Sequence, residues 1–275
     1  MTQEVPVTHP VEKAPASDGA GHGTAARRAL SGRIFTGAGV ALGLIGAWQA
    51  LVWAAQLPPF ILPGPGRVAL ALWENAGLIG GHALITLTEV VAGLIIGAVL
   101  GAATALGLAL SPAARRVVRP VLVITQALPV FALAPILTLW LGYGLWSKVL
   151  MAVLIIYFPV ASAFFDGLMQ TPRGWLDQAR VMGARPWRVL LHVRLPAALP
   201  SLASGLRLAA VYAPIGAIIG EWVGASQGLG YLMLLANGRA KIDLMFAALA
   251  ALVVMTLILY RIVGIGCDAL VRRVS

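Results

Sequence analysis

The chain has 275 residues, of which 60% are hydrophobic and 11% charged, and its formal net charge is +10. Soluble domains carry about 25% charged residues, so too few charges remain here to coat a water-facing surface, and an ordinary soluble enzyme is excluded. Aromatics make up only 7%, and the long aliphatic runs suit helices in lipid rather than the alternating pattern of a membrane β-barrel. The fold class read from composition is therefore an all-α integral membrane protein.

Residues 1–32 are polar and small and cannot bury enough apolar surface to fold, so they are expected to form a disordered cytoplasmic tail. Six apolar segments follow, at roughly 34–56, 82–110, 117–141, 147–168, 199–221 and 244–265. Each is near the ~20 residues that cross a bilayer core as a helix. The first lies too far from the N-terminus and is too long for the apolar region of a signal peptide. The expected organisation is a first transmembrane helix within 33–57, a periplasmic segment at 58–81 and a core domain at 82–266. A cytoplasmic tail at 267–275 completes it. In the 58–81 segment the Pro-Gly start breaks structure, and a short amphipathic helix is expected after Gly66.

Helices in lipid pack through small residues. The second segment supplies Gly93, Gly97, Gly101 and Ala105 at a spacing of four, and the fifth supplies Ala209, Ala213 and Ala217 beside Gly216 and Gly220. Pro129 and Pro135 interrupt the third segment, next to Gln126, and are expected to bend it. Acidic residues at membrane depth are functional candidates. These are Glu89 in the second segment and Glu221 at the outer end of the fifth. Glu221 stands beside Trp222 in a glycine-broken stretch expected to be non-helical and to line a cavity. Asp243 is expected to pair with Arg239 or Lys241 at the surface.

Sixteen of the twenty Lys and Arg residues fall on one side of this arrangement, which the positive-inside rule makes cytoplasmic. Both termini then lie in the cytoplasm, and the basic excess needs no nucleic acid to explain it. The single cysteine, Cys267, excludes a disulfide within one chain, and the four histidines are scattered, so no metal site is visible. No catalytic constellation is visible either. Ser162 and Ser201 lack a histidine partner within the bilayer, which argues against an intramembrane enzyme. No internal repeat supports a secondary carrier.

The most informative stretch is 171–196, TPRGWLDQARVMGARPWRVLLHVRLP. Thr171 is expected to cap a helix with Pro172 at its first position, running to Met182 and stopping at Gly183. A second short helix is expected from Pro186, ending before Pro196. Arg180, Arg185, Arg188 and Arg194 would line a polar side, with Leu176, Met182, Trp187 and Leu190 as apolar knobs. A connection between spans needs only a handful of residues, so a loop of this length and order is built to dock something.

This loop resembles the EAA motif of binding-protein-dependent ABC importer permeases, a pattern of EAA, three residues, G, nine residues, then I-x-L-P. Asp177 stands at the Glu position, Gln178 departs from the first Ala, and Ala179 stands at the second. Gly183 stands at the glycine, Val193 for Ile, and Leu195-Pro196 closes the pattern. The likeness continues through ILPGPGRV at 61–68, ALAPILTLWLGYG at 132–144 and GASQGLGYLM at 224–233, which are similar to permeases for sulfonates, taurine and nitrate. The stretch 228–249 is similar to permeases for pyrimidine precursors of thiamine.

The resemblance implies a type I importer transmembrane fold in a bacterial cytoplasmic (inner) membrane. It implies a homodimer with a second copy of the chain, two cytoplasmic ABC ATPases, and a periplasmic or lipid-anchored solute-binding protein. ATP and Mg would be bound by the ATPase, since this chain has no G-x-x-x-x-G-K-[ST] motif. Asp177, Ala179, Gly183, Ala184, Arg185, Trp187, Leu195 and Pro196 would form the ATPase-coupling segment. Gln126, Glu221, Trp222 and Glu89 are the pathway candidates. The expected cargo is a hydroxymethylpyrimidine-type thiamine precursor, with a sulfonate, taurine or nitrate as the alternative. A neutral heteroaromatic ring needs few charges in its path, and no Lys or Arg lies mid-span.

Overall fold

The computed structural model describes residues 39–273 apart from Leu128; the side chains of Arg119, Thr125, Gln126 and Ala127 are also outside the described set. The expected tail at 1–32, the start of the first span and the side chain of Gln126 therefore lie outside the described residues. The chain divides after Gln56 into two units. In the first, the described residues form one apolar helix, α1 (Gly39–Ala54).

The second unit is helical throughout its regular elements. Its first element is α2 (Pro65–Glu74), with Pro65 at the start, where a missing N–H costs nothing. The amphipathic helix expected after Gly66 is this one, and Val68 and Ala71 are its buried face. Next come α3 (Ala76–Leu110), α4 (Pro112–Ala127), α5 (Val130–Leu141) and α6 (Leu145–Met169). The 171–196 region holds α7 (Arg173–Val181), α8 (Pro186–Val189) and a π turn (Leu190–Arg194). The unit ends with α9 (Leu195–Gly224), α10 (Leu229–Gly238) and α11 (Ile242–Arg272).

Among the described residues, four stretches are long and apolar enough to cross a membrane: α3, α6, the helical run 186–224, and α11. The expected third span, 117–141, is not one bent helix. It is two, with Pro129 as the extended N-cap of α5 (φ −67°, ψ 104°). Proline cannot donate the N–H that would continue the ladder, so the run restarts there. Neither α4, with 16 residues, nor α5, with 12, reaches the ~20 needed alone. The last helix outruns its expected end at 265 and reaches Arg272. Cys267 is therefore inside it, buried, with its Sγ 3.6 Å from the Ala203 carbonyl of α9.

α6 lies between α3 and α9, and glycine sets both contacts. A Cβ built on Gly93 would stand 2.6 Å from Ala152 Cβ, one on Gly97 2.6 Å from Ile156 Cγ1, and one on Gly101 3.0 Å from the Tyr157 carbonyl oxygen. From α9, a Cβ on Gly216 would stand 2.5 Å from Ala152 Cα, and one on Gly220 3.0 Å from Lys148 Cα. The small-residue stripes of the second and fifth segments thus face the same helix. Val90, Leu94, Ile156, Val160, Ala209 and Ala213 fill the core between them.

This packing makes a prediction. Gly216→Val must push α9 off the α6 backbone, which costs about 1–3 kcal/mol as overpacking. Gly107→Ala, on α3 with nothing within 4 Å of the added carbon, should be neutral or slightly stabilising, since a mid-helix glycine costs roughly 0.5–1 kcal/mol against alanine. Thermal melting of the detergent-solubilised variants, read by size exclusion, should show a lower midpoint for Gly216→Val alone.

Candidate functional site

The 171–196 loop starts where α6 ends. Thr171 is buried, and its Oγ1 donates to the Leu168 carbonyl at 3.2 Å. Its hydroxyl therefore closes α6 instead of capping α7, because it follows the α6 C-cap, Gln170, and reaches back over the last turn. Pro172 takes the N-cap position of α7 with no side-chain cap.

α7 ends in a Schellman turn. The Ala184 N–H donates to the Ala179 carbonyl at 3.0 Å, and the Gly183 N–H donates to the Arg180 carbonyl at 2.9 Å. Gly183 has φ +72°, the left-handed conformation this turn requires. Nothing crowds the position where its Cβ would be, so conformation alone selects glycine. Ala179 and Ala184 are the two ends of the 6→1 bond, which gives the spacing of these three residues a physical basis.

After the turn, Arg185 is extended and α8 begins at Pro186. The second loop helix does not end before Pro196. The Leu195 N–H bonds the Leu190 carbonyl, five residues back, and the chain continues into α9. Proline lacks an N–H, and its ring would press on the carbonyl four residues earlier in an α-helix. The wider π turn just before Pro196 takes up that misfit. Leu195 and Pro196 accordingly sit at the root of a long helix and not at the loop tip.

The tip is apolar and bare. Val181 is 90% exposed and Met182 78%, with Trp175 and Trp187 about half exposed. The Arg188 guanidinium lies 5.4 Å from the centre of the Trp187 ring. Leu190, expected as a knob, is buried against α3, α4 and α6. Asp177 pairs with Arg180 at 2.9 Å in solvent, where such pairs contribute little. Sequence reasoning passed over Val181, whose place just before the Schellman turn was the available signal.

The membrane-depth carboxylates are brought together, and both are turned into their own chain. Glu221 lies within α9, which stays helical to Gly224, so the expected non-helical backbone begins only after it. Its Oε1 accepts from Thr86 Oγ1 at 2.6 Å. Its Oε2 accepts from the backbone N–H groups of Gly230, at 2.5 Å, and Tyr231, at 3.3 Å. These are orphan donors at the start of α10, where a carboxylate is favoured. Thr86 Oγ1 also accepts from the Leu229 N–H at 2.8 Å, and His82 Nδ1 accepts from the Gly228 N–H at 3.0 Å. Gly228 has φ +110°, and a Cβ there would overlap the Glu221 carboxylate.

Glu89, one turn along α3 from Thr86, faces Lys148 of α6 at 3.5 Å, and both are buried. Lys148 Nζ also donates to the Tyr143 carbonyl at 3.2 Å. Trp222 is not part of this cluster. It is 44% exposed and borders an apolar groove with Ile218, Ile219 and Met233. Asp243 makes no ion pair with Arg239 or Lys241; its Oδ1 is buried without a hydrogen bond. It shares a polar cavity with Arg67, Glu74 and Lys241.

Removing the anchor should loosen α10 first. Glu221→Ala leaves buried N–H donors unpaired at about 1–3 kcal/mol each, whereas Glu221→Gln keeps one oxygen for them. Hydrogen exchange at Gly230 and Tyr231 should accelerate on the order of tenfold or more in the alanine variant. The glutamine variant should stay near the parent.

The chain is similar to known permeases in sequence and in fold. A permease of Haemophilus influenzae, described as a probable ABC transporter permease protein, is 52% identical over 79% of this chain and 89% of its own length. The formylaminopyrimidine transport permease protein ThiX of Halalkalibacterium halodurans is 39% identical over 63% of this chain and 70% of its own. A chain of the MetNI methionine ABC transporter, crystallised in an inward-facing conformation, superposes with a TM-score of 0.54 at 23% identity. It covers 78% of this chain and 99% of that one, which shows a shared type I importer permease fold. Residues 90–275 match the family model described as binding-protein-dependent transport system inner membrane component. The match takes in α6, the Schellman loop and the Glu221 anchor, and on it the chain belongs to the binding-protein-dependent transport system inner membrane components, the multi-pass permeases of ABC transporters.

Proposed function

We propose that this permease works as a homodimer in an ATP-driven importer of a small heteroaromatic solute, a hydroxymethylpyrimidine-type thiamine precursor, and that the 171–196 loop couples it to a partner ATPase. The observation that carries the coupling role is the loop tip. Val181 and Met182 stand almost fully exposed beside a turn locked by two backbone hydrogen bonds. An apolar knob on a rigid support fits a cleft on a partner protein. The charge bias supports a cytoplasmic position for this face, with the ATPase and its ATP and Mg, and both termini, on the same side. A solute-binding protein would deliver cargo from the opposite side.

The likeness to a formylaminopyrimidine permease supports the cargo class. The exposed apolar face of α9, with Leu208, Val211, Tyr212, Ile215 and Trp222, is the surface we assign to the pathway between two copies. Glu221 and Glu89 act as internal anchors in this reading, not as pathway groups.

Gly183→Pro tests the coupling. Proline fixes φ near −65° and removes the N–H bonded to Arg180. The spans should insert normally, while the variant reconstituted with its ATPase should lose at least about tenfold in uptake, roughly the 1.4 kcal/mol or more expected from a broken turn. Gly183→Ala should lose less, since a left-handed alanine costs about 1–2 kcal/mol without losing a bond. Ligand-stimulated transport at the parent level in Gly183→Pro would remove the coupling role.

The cargo is tested in proteoliposomes carrying the permease, its ATPase and its binding protein. ATP-dependent accumulation of the pyrimidine, and not of taurine or an alkanesulfonate, is expected. Accumulation of the sulfonate alone would overturn the cargo and leave the permease role standing.

A further inference from the structure

Behind the loop, where α3 and α4 meet α7, α8 and the π turn, lies a cavity of about 190 Å³. Three arginines border it: Arg115 of α4, Arg180 of α7 and Arg194 of the π turn. They come from three separate elements, yet Arg115 and Arg180 are the charged neighbours that act on Arg194. Like charges gathered this way repel, and folding alone gives no reason to collect them.

Their compensation is incomplete. Arg180 has Asp177 at 2.9 Å. Arg115 makes only long contacts, to the Met169 sulfur and the Ala109 carbonyl, each at 3.5 Å. Its Nε is buried with no hydrogen-bond partner. Among the described residues, neither Arg115 nor Arg194 has a carboxylate partner. A buried guanidinium N–H left unpaired is costly, and two converging guanidiniums suit a tetrahedral oxyanion, which they grip with charge-assisted bonds.

The other walls are apolar: Leu110, Leu176 and Val189. Leu110 ends α3, the end of a membrane-crossing helix. The cavity therefore lies at one end of a membrane-crossing helix, with cations beside aliphatic side chains. We infer that this cavity is a binding site for a phosphate-bearing anion, a phospholipid headgroup or free phosphate, held by Arg115 and Arg194. Occupied, it ties α4 to the π turn through a shared anion and fixes the loop against the spans. This inference does not depend on the cargo or on the coupling role.

The test uses the full-length chain, stripped of lipid in a non-ionic detergent. It is titrated with short-chain phosphatidylglycerol, short-chain phosphatidylcholine and inorganic phosphate, each read as a shift in melting midpoint. Phosphatidylglycerol should raise the midpoint more than the zwitterionic lipid. Arg115→Gln/Arg194→Gln should weaken its apparent affinity by about tenfold or more, and Arg207→Gln, outside the cavity, should not. A matching response to phosphate assigns the site to a free anion, and no response to phosphate assigns it to the lipid headgroup.

Ala184→Glu supplies a carboxylate from the cavity wall. It should raise the midpoint without ligand and abolish the response, and it decides the matter if the double variant does not fold. Equal responses in the parent, the double variant and Ala184→Glu, or none in the parent, would overturn the site. The latter result would leave the arginines for an acidic segment of another protein.

Discussion

The close approach of α6 to two helices at once is the constraint on which the rest of the structure depends. In lipid, apolar side chains gain nothing by leaving their surroundings, so helices hold together through contact between backbones. Ala152 marks the point of greatest compression. Gly93 approaches it from α3, and Gly216 approaches it from α9. Neither approach survives a side chain, and the two together set the spacing of three membrane helices. That spacing places Lys148 next to Glu89 and leaves Glu221 facing Thr86 across the α3–α9 boundary.

The polar groups inside this frame read as joints. The Glu221 carboxylate satisfies backbone donors that α10 itself cannot satisfy, because the first N–H groups of any helix point outward along its axis. Leu229 and Gly230 are buried, so the donors at the start of α10 need such a partner, because an unpaired buried N–H is costly. Thr86 and His82, one turn apart on α3, complete the set by accepting the N–H groups of Leu229 and Gly228. Three side chains from two helices thus fix one short helix, and the Glu89–Lys148 pair pins α3 to α6 beside it.

Much of this was legible in the sequence, and what was missed has a common cause. The glycine stripe on α3 was visible as a spacing, but a spacing on one helix does not name the helix opposite. The Schellman turn was readable because every residue it needs lies within six positions. Thr171 was misassigned because a Thr before a Pro fits two roles, and only the position of α6 decides between them. Pro196 was taken as a helix end because a proline usually is; the π turn that absorbs it depends on the backbone around residues 190–195 and leaves no mark in composition. Glu221 was recognised as special, but its partners are 135 and 9 residues away. The break at Pro129 was underestimated for the same reason as the continuity at Pro196: the local residue is ambiguous, and the tertiary setting resolves it.

The continuous helical run from Pro186 to Gly224, π turn included, has a mechanical consequence. Its 39 residues make a rod of about 58 Å at 1.5 Å per residue. One end carries the loop, and the other carries Glu221, to which α10 is moored. A rod pivoting about its middle, where Gly205 meets the Pro159 carbonyl of α6, converts a tilt of about 5° into a swing of about 2–3 Å at each end, in opposite directions. The pivot needs a smooth bearing, and there Gly205 faces only the Ala163 methyl and α6 backbone atoms, with no bulky side chain between the helices. Motion on one face of the membrane would then appear, reversed, on the other, carried through the π turn at Leu190–Arg194 and past Pro200 and Pro214 within the run.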